Sequence, residues 1–127
     1  MRRYEVIIHT SVADRPKDHE IKAALIVANN YFRSDVVFLR PDIYKTPDLE
    51  VNLVRWELKS PLGQGKKTIE NNMRAARRQS KNLIIDFSRM KLHQTKAFAN
   101  IRYYIQKYPK QFEHVVVVAK NGSVIEL

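Results

Sequence analysis

Residues 48–59, DLEVNLVRWELK, alternate between apolar and charged side chains on both sides of Asn52-Leu53. Side chains on a strand point to opposite faces in turn, whereas a helix would repeat its apolar positions every three to four residues. The segment is therefore a β-hairpin. With Asn52 and Leu53 as a two-residue turn, Val51 faces Val54, Glu50 faces Arg55, Leu49 faces Trp56 and Asp48 faces Glu57. One face then carries Leu49, Val51, Val54, Trp56 and Leu58, and the other Asp48, Glu50, Arg55, Glu57 and Lys59. Such turns demand positive φ, for which Leu53 is a poor residue, so a longer turn or a bulge is the competing expectation.

In this register Asp48 and Glu57 are direct cross-strand neighbours, with Cβ atoms roughly 4.5–5.5 Å apart, and like charges so placed repel. A cation between them removes the penalty, and Lys59 reaches the same space from two residues on. Two readings fit the residues. The cluster is a catalytic metal site, or it is the solvated side of an edge hairpin.

Around the hairpin the chain reads as alternating strands and helices. A strand over 4–9 precedes a helix from about Lys17 to Phe32, with Ile21, Leu25, Ala28 and Phe32 at helical spacing and Asp14 or Asp18 as its cap. Residues 35–40 form a strand, Thr68 caps a helix running to about Lys81, and 82–87 is a buried strand. A helix over 94–107 ends before Pro109, and strands "HVVVVA" and "VIEL" join through the Asn121-Gly122 turn signal. The order predicts one mixed α/β domain spanning 1–127, a mixed sheet flanked by helices.

Lys and Arg number 23 against 13 Asp and Glu, a net charge of +10. A small domain so basic favours a polyanionic partner. No apolar run approaches the ~20 residues of a membrane helix, and no long apolar helix face accompanies the basic residues, so nucleic acid is expected rather than a membrane. Cysteine is absent, which removes disulfides and thiolate chemistry.

The residues Pro47-Asp48, Glu57-Leu58-Lys59 and a glutamate, Glu20, on the preceding helix resemble the motif of the PD-(D/E)XK nuclease superfamily. The longer stretch WELKSPLGQGKKTIENNMRAARRQSKNLIIDFSR is similar to the C-terminal toxin nuclease domains of bacterial contact-dependent growth inhibition proteins. The similarity covers about residues 14–127 and is strongest over 47–89. It implies a restriction-endonuclease-like core and a metal-dependent endonuclease, a tRNA-cleaving toxin first and a DNA endonuclease second. By that resemblance Asp48, Glu57 and the backbone carbonyl of Leu58 hold a divalent metal, Mg or Mn with Zn possible, and Glu20 completes the acidic cluster. Lys59 then orients the attacking water or serves as its base, and Gln79 orients Lys59 or a substrate phosphate. The resemblance further implies an acidic immunity protein, and a toxin delivered from the cell surface that acts in the target-cell cytoplasm. A chain that opens with Met1 and shows no large delivery region fits an excised domain or a small stand-alone cytoplasmic protein equally.

Nucleic-acid contacts are expected from Arg74, Arg77, Arg78 and Lys81, spaced i, i+3, i+4 and i+7 along one helix face, with Lys66, Lys67 and Ser60 ahead of them. A solvated helix face is the plainer explanation of such a stripe. Trp56 belongs to the core, Tyr103, Tyr104 and Tyr108 divide between core and surface, and His9, His93 and His114 are structural. Two further functions remain to be separated from a metal-dependent nuclease. One is a metal-independent RNase using His19 with Glu20 or Lys59. The other is a basic nucleic-acid-binding module without catalysis.

Overall fold

The computed structural model describes residues 3–40, 48–65 and 67–127. Its strands are β1 (Val6–Ile8), β2 (Val36–Phe38), β3 (Leu49–Val51), β4 (Val54–Lys59), β5 (Asn82–Asp86), β6 (His114–Val118) and β7 (Val124–Glu126). Helix α1 (Asp18–Val27) continues into a π-helical turn, Ala28–Phe32, and α2 (Thr68–Ala76) and α3 (Gln94–Lys107) follow β4 and β5. The strands form one seven-stranded mixed sheet in the order β1 to β7. Strands β1, β2, β4, β5 and β6 run one way, and β3 and β7 run against them.

The apolar residues of β5 and β6 explain why the sheet is covered on both sides. Ile84, Val116 and Val118 join Leu49, Trp56, Leu58 and the Ala23-Ala24-Val27 face of α1 in one core. Leu83, Ile85, Val115 and Val117 point the other way, against Ile69, Met73, Phe98 and Ile101 of α2 and α3. A near-continuous apolar strand is what a sheet buried on both faces requires. Full burial of each such side chain stabilises the fold by about 1.5–3 kcal/mol.

The hairpin has the register read from its alternation, with Leu49 opposite Trp56, Glu50 opposite Arg55 and Val51 opposite Val54. Asn52 and Leu53 both take left-handed backbone, φ 49° and 68°, so the two-residue turn forms despite the leucine. Its side chain stays 89% exposed. The hairpin does not lie at an edge, however. Strand β4 is the fourth of seven, paired to β5 through Glu57–Leu83, Leu58–Ile84 and Lys59–Ile85.

Helix boundaries differ from the sequence expectation at three points. The N-cap of α1 is Lys17, whose backbone N–H donates to Glu20 Oε1 at 2.9 Å, while Asp14 accepts from Ser11 Oγ instead. Helix α2 has Lys67 at its cap, so Thr68 is the first helical residue. It also stops at Ala76 rather than Lys81, because residues 77–79 close into turns. The π-helical turn has a local cause: Asn29 Nδ2 donates to Tyr4 O and Leu25 O, and its Oδ1 accepts from Tyr4 N. The side-chain amide thereby extends the backbone pairing beside β1.

Candidate active site

The C-terminal ends of β4 and β5 and the start of β3 share one edge of the sheet. Open α/β sheets gather their functional residues at such edges, where loops leave the ends of parallel strands. At this edge Glu57 is only 1% exposed. Its Oε1 accepts from Asp48 N at 3.3 Å, and Asp48 Oδ2 accepts from Leu58 N at 3.1 Å. Lys59 Nζ lies 3.5 Å from Glu57 Oε2. The structure thus brings together Asp48, Glu57 and Lys59. In a strand the N–H and C=O of one residue point to the same side, so the Leu58 carbonyl is directed towards Asp48 with its amide. The solvated edge hairpin is the reading this geometry removes.

Burial is the largest cause that pushes the Glu57 carboxyl up to about 8, followed by its hydrogen bond with Asp48 and the Asp48 charge. Lys59 and the Asp48 backbone N–H pull the other way without cancelling these effects. Without a further cation the acid pair therefore keeps a proton at pH 7. A divalent cation binding here would displace that proton.

Glu20 and Asp48 line the same cavity, about 220 Å³ in volume, with Thr10, Arg15, Lys17 and Leu39. Thr10 Oγ1 is buried there without a hydrogen-bond partner. Among the described residues no three acidic or histidine side chains converge closely enough to hold a metal by themselves. Glu20 is a wall of the site whose Oε1 is occupied by the helix cap, rather than a third carboxylate against the pair.

The other expected residues divide by position. Ser60 Oγ donates to Asp86 Oδ2 at 2.9 Å. Lys67 is exposed at the start of α2, and Lys66 and Pro47 lie outside the described residues. Arg74 is paired with Glu70 at 2.8 Å. Arg77, Arg78, Gln79 and Lys81 sit in the turns after α2, which Ser80 Oγ fastens to Arg55 O. Arg55 and Lys59 are separated by about 13 Å of strand, so this basic group lies towards the far edge. No hydrogen bond or ion pair links this group to Lys59 among the described residues. The regular helix ends at Ala76, before three of the four cations, and residues 77–80 continue it as turns that still bond back to Met73, Ala75 and Ala76.

Two residues at the edge were not singled out from the sequence. Asp86 is 1% exposed and accepts from Ser60 Oγ, Ser88 N and Ser88 Oγ. Its signal was an aspartate closing an apolar run in IIDFSR. Arg89, three residues on, places Nη1 3.1 Å from His19 Nδ1. That contact occupies one ring nitrogen of the histidine expected to serve a metal-independent mechanism. His93 accepts from Thr95 N at the start of α3, His114 pairs with Glu126, and Trp56 is buried, all as structural residues. Tyr103 is exposed and Tyr104 buried.

An α/β sheet with a buried carboxyl held against a half-buried one, and a lysine beside them at its C-terminal edge, is the class this geometry defines. The chain belongs to the contact-dependent growth inhibition CdiA C-terminal domain family, which it matches over residues 45–124. It is therefore a bacterial growth-inhibition toxin domain. Its fold is similar to that of a solved CdiA-CT/CdiI toxin and immunity complex from Burkholderia pseudomallei, with a TM-score of 0.65 and 18% identity over 94% of this chain and 97% of that one. No curated protein sequence matches. No helix among the described residues is long and apolar enough to cross a membrane.

Proposed function

We propose that this toxin domain is a metal-dependent endonuclease of the PD-(D/E)XK type, with tRNA as its first substrate and DNA as its second. The observation that carries the reading is the fully buried Glu57 carboxylate held against Asp48, with Lys59 Nζ 3.5 Å away. A carboxyl buried against a second acid costs stability, which points to a function.

The residues fit a hard divalent cation. Asp48, Glu57 and the Leu58 carbonyl are oxygen donors, and Thr10, whose buried hydroxyl has no hydrogen-bond partner, lines the same cavity as Asp48. Oxygen donors suit Mg²⁺ or Mn²⁺ better than Zn²⁺. When bound, the cation would supply charge to the scissile phosphate. The protein does the rest. Lys59 Nζ positions the attacking water and takes its proton, and its ammonium form offsets charge gathering on the phosphate. Burial on both faces of β4 holds Glu57 and Lys59 rigid relative to Asp48. Glu20 fixes the cavity wall through its cap on α1.

The similarity to a toxin solved with its immunity protein supports a second proposal. The net charge of +10 favours an acidic immunity protein covering this edge, and delivery places the toxin in the cytoplasm of the target cell. A cognate inhibitor that left cleavage untouched would rule that partner out.

The test is incubation with total tRNA and with plasmid DNA, in Mg²⁺, Mn²⁺, Zn²⁺ or EDTA, beside Asp48→Ala and Lys59→Ala. Cleavage should vanish in EDTA and in both variants while binding persists. RNA cleavage that survives EDTA and Asp48→Ala would sink the metal site, and binding without cleavage in any condition would leave only a nucleic-acid-binding module.

A further inference from the structure

We propose that Arg89, seated on His19, is a phosphate-binding residue of the same edge and takes a backbone phosphate flanking the one at the acid pair. The inference rests on the polynucleotide substrate argued above and names the residues that grip it.

Arg89 follows β5 by three residues, and its guanidinium reaches α1, where Nη1 lies 3.1 Å from His19 Nδ1. Arginine carries five N–H donors and no acceptor, so Nδ1 must be the accepting nitrogen, and the neutral ring carries its proton on Nε2. The contact uses one corner of the guanidinium. It leaves Nη2 for a phosphate oxygen, with Nε behind it. Nε is buried and has no hydrogen-bond partner. Arg89 makes no ion pair among the described residues. A buried donor left unmade is costly, so the guanidinium gains from any shift that brings it onto an anion.

The surroundings favour an anion as well. A cavity of about 300 Å³ is lined by Lys22, Asp86, Ser88 and Lys120, and Ser88 directly precedes Arg89 in the chain. Lys22 is three residues beyond His19 and shares its helix face. Neither lysine makes an ion pair among the described residues. Asp86 spends its lone pairs on Ser60 and Ser88, which ties the cavity to the residue following Lys59. Acid pair, Ser60, Asp86, Ser88 and Arg89 thus form a continuous run along the C-terminal edge, with acids at one end and unpaired cations at the other. A polynucleotide laid along it meets the acid pair at one phosphate and Arg89 at another.

The experiment works in EDTA, so that binding is read without cleavage. Inorganic phosphate is titrated into the wild-type protein while the His19 ring is followed by nuclear magnetic resonance. A fluorescent single-stranded oligoribonucleotide is then bound to wild type and to Arg89→Gln across a range of salt. The His19 resonances should move saturably. Arg89→Gln should weaken binding about tenfold and lower the salt slope by about 0.7, the share of one phosphate on a single strand. An unmoved His19 in the wild type, or wild-type affinity and slope in Arg89→Gln, overturns the assignment. A protein that passes this test yet cuts no nucleic acid keeps the phosphate site and loses the nuclease reading. A protein that cuts but binds unchanged as Arg89→Gln does the reverse.

Discussion

The two faces of strand β4 differ in what burial does to them. On one face Trp56 and Leu58, each 4% exposed, pack against α1 and gain stability from leaving water. On the other, exposure falls from Arg55, which is open to solvent, to Glu57 at 1%, and there burial works against stability. A single alternating strand therefore holds a structural half and a half maintained at a cost. The contrast teaches where to look for chemistry: a carboxylate driven into the interior beside another carboxylate is kept for something other than the fold.

Substitutions on the two faces should separate cleanly. The largest effect is expected on cleavage, where Asp48→Ala or Lys59→Ala should lower turnover by about a thousandfold or more, with thermal unfolding of Asp48→Ala at or above the wild-type midpoint. Trp56→Ala should do the opposite. Loss of a buried indole costs about 3–5 kcal/mol of stability, measurable by urea unfolding, whereas the acid pair itself is left in place. A variant series in which both faces changed stability alike would break the comparison.

The acid face should also make stability depend on pH. The Glu57 carboxyl rises from 4.5 to about 8 on folding, so the folded protein binds more protons than the unfolded chain between those values. Its contribution is fully present below about pH 4.5 and is lost as pH rises through about 8, a change on the order of a few kcal/mol in metal-free protein. Glu57→Gln should flatten that dependence, and Mn²⁺ should raise the unfolding midpoint more at pH 8 than at pH 5.5. Denaturant curves across this range check both.

Smaller effects sharpen the account of the loop that leaves the site. A Cβ on Gly63 would stand 2.6 Å from Thr68 Oγ1, so Gly63→Ala should cost about 1–2 kcal/mol, and Thr68→Ala should relieve most of it. Least of all, Arg74→Ala should change stability by no more than about 0.5 kcal/mol, since its partner Glu70 is a surface neighbour one turn away. It should leave turnover unchanged.

How far the sequence could be read follows from what each signal depends on. The hairpin register was legible because side-chain alternation has period two, and a slip of one residue would have turned Trp56 into solvent. The span of α3 was legible because Pro109 and the apolar spacing bound it. The burial of Glu57 was not, since it depends on β5 lying alongside and on α2 and α3 covering that face, which are long-range facts. The end of α2 was not legible: the basic spacing runs on to Lys81, whereas the regular helix stops at Ala76 and gives way to turns over 77–79. Asp86 and Arg89 needed the topology that puts the end of β5 beside the end of β4.

The most direct measurement is a titration of the metal-free protein with Mn²⁺ at pH 7.5, following the free-ion signal by electron paramagnetic resonance in wild type, Asp48→Ala and Glu57→Gln. The account predicts Mn²⁺ bound by the wild type and its loss from both variants, with each still folded. Binding equal in all three, or none in the wild type, would contradict the claim that this buried acid pair is a metal site.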